Sequence, residues 1–85
     1  MIAVQRDLSF VVSQTDLAGN IVRELSELTG DKARIFDAHQ TGPLRKIGVQ
    51  VTFEHPAGKT LTGEQIARRC ANWTILAADY GWKLL

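Results

Sequence analysis

With 85 residues, 45% hydrophobic and 22% charged, the chain has the size and composition of one ordinary globular domain spanning 1–85, which excludes a disordered segment and leaves little room for a deep cleft beside a full core. A formal net charge of +1 gives no global sign of a nucleic-acid binder, so any RNA site has to be a local patch. One cysteine, Cys70, excludes an internal disulfide and favours a reducing cytoplasm; no apolar run approaches the roughly 20 residues that span a bilayer, and no basic segment followed by a long apolar stretch suggests a signal peptide.

Leu8, Phe10 and Val12 alternate with Asp7, Ser9, Val11 and Ser13, which predicts a half-buried strand. Thr15 or Asp16 can accept from the free amides that open a helix. Leu17, Ile21, Leu25 and Leu28, with Val22 beside them, then form an apolar stripe at helical period, ended by Gly30; the helix is predicted over 16–29. Ala33 to Gln40 is predicted as a second strand, with Phe36 and Ala38 facing one way and Ile35, Asp37 and His39 the other. Thr41-Gly42-Pro43 supplies a turn, after which Ile47, Val49, Val51 and Phe53 alternate with Gly48, Gln50, Thr52 and Glu54, completing a hairpin. Thr62 and Gln65 make a capping box, with Leu61 and Ile66 as a hydrophobic staple across it. Ile66, Cys70, Trp73, Ala77 and Tyr80 continue a second stripe to Gly81, predicting a helix over 63–80, and Trp82 to Leu85 leaves room for one short strand.

The order β-α-β-β-α-β with one apolar stripe per helix closes most simply as an α+β ferredoxin-like sandwich, a four-stranded antiparallel sheet with both helices on one face. The other face is then open. Asp7, Ser9, Val11, Ile35, Asp37, His39, Gly48, Gln50 and Thr52 would occupy it, with Arg34, Arg45, Lys46 and Lys59 at its rim. Polar sheets of this kind can lay out bases, and rim cations can hold phosphates, although many such faces are merely solvated. Asp7 and Asp37 on neighbouring strands would suggest paired carboxylates, but each more simply bonds a nearby arginine or amide, with Arg6 the nearest candidate. There is no Gly-rich phosphate loop of Walker type and no Cys-His pair in nucleophile context, and His39 and His55 lack companions at metal-ligand spacing, so no catalytic site, metal or cofactor is expected in this chain.

Several blocks stand in a telling order: Arg6-Asp7-Leu8-Ser9-Phe10, Ile35-Phe36-Asp37-Ala38-His39-Gln40, Lys46-Ile47-Gly48-Val49-Gln50-Val51-Thr52-Phe53, and Lys59-Thr60-Leu61-Thr62-Gly63-Glu64-Gln65-Ile66. Together they resemble the C-terminal anticodon-binding domain of the bacterial phenylalanine–tRNA ligase β chain, from about Arg6 to Leu84. The resemblance implies a ferredoxin-like module that binds the tRNA anticodon stem-loop, within a synthetase whose catalytic body uses ATP and Mg²⁺. It implies RNA contacts at Asp37, His39, Gln40, Arg45 and Lys46, and neither a membrane nor DNA as partner. Phe36, Asp37 and Gln40 match the family pattern. His39 stands where the family usually has Tyr, Thr41 where it has Gly, Lys46 where it has Ser, and Leu85 where it has Arg. The departures at His39, Lys46 and Leu85 are the best support for the rival reading, a ferredoxin-like regulatory or oligomerisation module that pairs through its sheet.

Overall fold

The computed structural model describes residues 3–12, 17–55 and 57–85. The elements run β1 (Ala3–Val12), α1 (Ala18–Thr29), β2 (Lys32–Thr41), β3 (Leu44–Glu54), α2 (Gly63–Ala78) and β4 (Lys83–Leu84). The sheet is antiparallel throughout, in the spatial order β2-β3-β1-β4. Leu8, Phe10 and Val12 from β1 and Ile47, Val49, Val51 and Phe53 from β3 share one buried cluster with Val22 and Leu25 of α1 and Trp73 and Ala77 of α2. One apolar sheet face therefore carries both helices, the arrangement expected of a ferredoxin-like sandwich. Among the described residues, no helix is long and apolar enough to cross a membrane.

The hairpin follows from its turn. Gly42 has φ +60, Pro43 comes next, and Thr41 pairs directly with Leu44. Glycine in the first central position followed by a residue with fixed negative φ suits the two-residue loops that match strand twist. β2 and β3 are long, and the molecule extends over 43 × 21 × 20 Å.

The helices depart from the expected stripes at their ends. Ala18, Val22 and Leu25 are the buried residues of α1, whereas Leu17, at the N-cap, and Leu28 are 56% and 69% exposed. The small Ala18 packs inward and moves the buried stripe off the two outer leucines. The predicted cap at Thr15 or Asp16 lies outside the described residues. In α2 the buried residues are Trp73 and Ala77, and the helix ends at Ala78, so Tyr80 falls beyond it. Tyr80 instead donates its hydroxyl to Glu24 Oε2 at 2.6 Å, tying the end of α2 to α1. Trp82 is buried and packs on Phe10 with ring centroids 5.6 Å apart.

The start of α2 is as the sequence predicts. Gln65 N donates to Thr62 Oγ1 at 3.1 Å, and Thr62 N donates to Gln65 Oε1 at 2.8 Å. Thr62→Ala is expected to lower stability by about 0.5–2 kcal/mol, because one end amide loses its acceptor. Denaturant melts of both proteins check this, and an unchanged midpoint would contradict it.

A polar latch that the sequence does not announce joins α1, α2 and β3 through Asp31, the residue just before β2. Gly30, at φ +76, ends α1 and places Asp31 in the core, 4% exposed. Trp73 Nε1 donates to Asp31 Oδ2 at 2.9 Å, and Arg69 forms an ion pair with Asp31 Oδ1. Arg69 also donates to the Glu54 carbonyl at 2.7 Å and lies over the Phe53 ring, 5.1 Å from its centroid. Thr29 Oγ1 donates to the Leu25 carbonyl at 2.7 Å and accepts from Asp31 N at 3.2 Å, while Ser26 Oγ donates to the Asp31 carbonyl. Desolvation is offset here because both carboxylate oxygens have donors.

Candidate nucleic-acid interface

Cross-strand partners share a sheet face, so the register decides which side chains look outward. Asp7, Gln50 and Arg34 form one row of the open face, and Val11, Lys46 and His39 form another. Between them lie Ser9, Gly48 and Asp37. Asp7 and Asp37 do not sit on neighbouring strands as expected, since β3 separates β1 from β2. Nor does Arg6 serve Asp7. It precedes Asp7 and lies on the opposite face of β1, and its Nη1 donates to the Gln5 carbonyl at 3.0 Å.

The expected alternation of β2 is broken by a β-bulge. Ile35 pairs with Val49 and Asp37 with Gly48, leaving Phe36 as the extra residue. Ile35 is therefore not on the open face but packs against the core, and Phe36 does not face the core. A Cβ built on Gly48 would stand 2.7 Å from Phe36 Cζ, so the Phe36 ring lies over Gly48 on the open face. Adjacent apolar residues at Ile35-Phe36, together with a glycine inside the facing strand, are the sequence signals of this arrangement.

Of the five expected contact residues, the structure brings three together. His39 Nε2 lies 2.8 Å from Asp37 Oδ2, with side chains 67% and 45% exposed, and Lys46 is the cross-strand partner of His39. An exposed pair of this kind adds little stability but fixes where a carboxylate acceptor and an imidazole stand. Gln40 and Arg45 pair with each other and, by alternation, fall on the opposite face near the hairpin end. Gln40 Nε2 donates to the Gly42 carbonyl at 3.4 Å. Lys59 lies in the loop before α2, at the end of the sheet away from the hairpin turn.

Lys32 also joins the open face, opposite Thr52, and Arg34 Nε donates to Gln50 Oε1 at 3.0 Å. Among the described residues, no group of three or more His, Cys, Asp and Glu side chains is arranged to hold a metal ion. Burial pushes the Cys70 thiol up from its ordinary value, so it stays protonated at neutral pH and is a poor nucleophile. No family model matches the chain, and no curated protein matches it either.

Proposed function

We propose that the open sheet face binds RNA and that the domain is a tRNA anticodon-recognition module, like that of the phenylalanine–tRNA ligase β chain, acting in protein biosynthesis in the cytoplasm. The observation that carries this reading is the grouping of Asp37, His39 and Lys46 on one accessible face. A carboxylate reads base donors and repels phosphate, an imidazole stacks or donates, and a lysine holds phosphate. In a parent enzyme, aminoacylation with ATP and Mg²⁺ would belong to a separate catalytic body.

Titration of labelled anticodon stem-loops at two salt concentrations tests the reading. Binding is expected to be weak and salt-sensitive, with log K falling by about 0.7–0.9 per phosphate for each unit of log salt. Lys46→Ala is expected to weaken every RNA and flatten that slope, whereas Asp37→Ala is expected to erode discrimination between anticodons. Absence of RNA binding by the unaltered protein at low salt would overturn the proposal.

One observation favours a second reading, a module that pairs through its sheet. β4 pairs with Phe10 and Val11 of β1, and Leu85 N donates to the Ser9 carbonyl at 2.9 Å, so the outward backbone groups of Ala3, Gln5 and Asp7 have no neighbouring strand among the described residues. Such an edge accepts a strand from another chain. A concentration-dependent dimer in sedimentation, with no RNA affinity, would establish that reading instead.

A further inference from the structure

We infer that Phe36 is a stacking platform for one unpaired base of single-stranded RNA, and that Lys32 and Arg34 hold phosphates of the same strand as it runs along β2. The inference rests on the RNA-binding reading and adds to it a site and a strand path. It starts from the bulge, which turns Phe36 outward where regular alternation would turn it inward. Gly48 then makes the platform possible, because any Cβ there would collide with the ring. The ring lies over that hollow yet remains 44% exposed. Part of the Phe36 surface thus stays open to solvent, as a stacking partner requires.

The surroundings fit a nucleobase. On β3, Lys46 and Gln50 flank Gly48 at two residues on either side, about 7 Å away along the strand. Ser9 and Asp37 flank Gly48 across the sheet. A base stacked on the ring therefore has a hydroxyl, an amide and a carboxylate within reach of its edge, which is the chemistry that reads unpaired bases. The cations complete the case. Lys32 and Arg34 are exposed, lie two residues apart on the same face of β2, and stand about 7 Å from each other along the strand. That step is comparable to the separation of successive phosphates in an extended single strand. Gln50 holds the Arg34 guanidinium through Nε, which leaves further N–H donors for a phosphate. A shallow depression lined by Gln5, Lys32, Arg34, Gln50 and Thr52 continues the path toward the start of β2.

The test uses the whole chain and short single-stranded oligoribonucleotides, one carrying 5-iodouridine for photo-crosslinking. The crosslink is expected to map to Phe36. Phe36→Leu is expected to weaken binding about fivefold or more, since the aromatic face is lost, while Phe36→Tyr retains it. Gly48→Ala supplies a variant that moves the ring without removing it. The Cβ meets the tip of a half-exposed side chain that can swing aside, so the melt should change little while affinity falls. Lys32→Ala with Arg34→Ala is expected to flatten the slope of log K against log salt by about 0.7 per phosphate released. If the unaltered protein binds RNA but Phe36→Leu and Gly48→Ala bind within twofold of it, the platform is overturned and the RNA reading stands. If the unaltered protein binds no RNA at low salt, both are overturned, and an exposed ring on this face then belongs to a protein contact.

Discussion

Asp31→Ala is expected to lower the unfolding free energy by about 3 kcal/mol, a large fraction of the total for a domain of this size. The carboxylate is nearly inaccessible and receives donors from two residues of α2. Its removal leaves the buried Trp73 N–H without an acceptor and strands the Arg69 charge. Breaking a buried pair by removing one partner costs about 3–5 kcal/mol. The lower end applies because the Arg69 side chain keeps 28% exposure and can recover water. In urea, with an m of about 1 kcal/mol/M, the midpoint should fall by about 3 M. Asp31→Asn, which keeps the shape and one acceptor, should fall between the two. An unfolding free energy within about 0.5 kcal/mol of the unaltered protein would show that the latch adds nothing to stability.

Trp73→Ala is expected to cost about 3–5 kcal/mol, the largest single effect in the molecule. Trp73 has no exposed surface and lies in the one buried cluster that both helices share with the sheet. Its truncation opens a cavity and also removes a donor from Asp31. Trp73→Phe separates the two contributions. It keeps much of the ring volume but loses the N–H, so about 1–3 kcal/mol is expected. The Asp31→Ala and Trp73→Phe double variant should cost less than the sum of the singles, since both break one hydrogen bond. Additive costs in denaturant melts would mean that the two residues do not act together.

β1, β3 and the entry to α2 are legible in the sequence because local rules decide them. Period-two alternation sets the faces of Phe10 and Val49, and the Thr62–Gln65 box is a four-residue device. β2 is legible as a strand but not in its facing. A bulge adds one residue without changing composition, so Ile35 and Phe36 exchange the faces that simple alternation assigns them. The stripe of α1 is misdrawn for a different reason. Leucines mark the apolar positions most visibly, yet close packing against the sheet selects Ala18 and leaves Leu28 outside. The Asp31 latch was out of reach because its partners lie 38 and 42 residues away, beyond any local pattern. In the candidate interface, Asp37, His39 and Lys46 stand together on the open face, whereas Gln40 and Arg45 fall on the opposite face because neighbours in sequence alternate across a strand.

The latch and the hairpin turn stand at opposite ends of β2 and β3. Stability is concentrated where α1, α2 and the sheet meet, while 36–44 is exposed along its whole length. Substitutions near the turn therefore disturb few of the contacts that keep the domain folded. The outer half of the hairpin is free to vary over evolutionary time, so its surface can be retuned toward a new ligand with little risk to the scaffold that carries it.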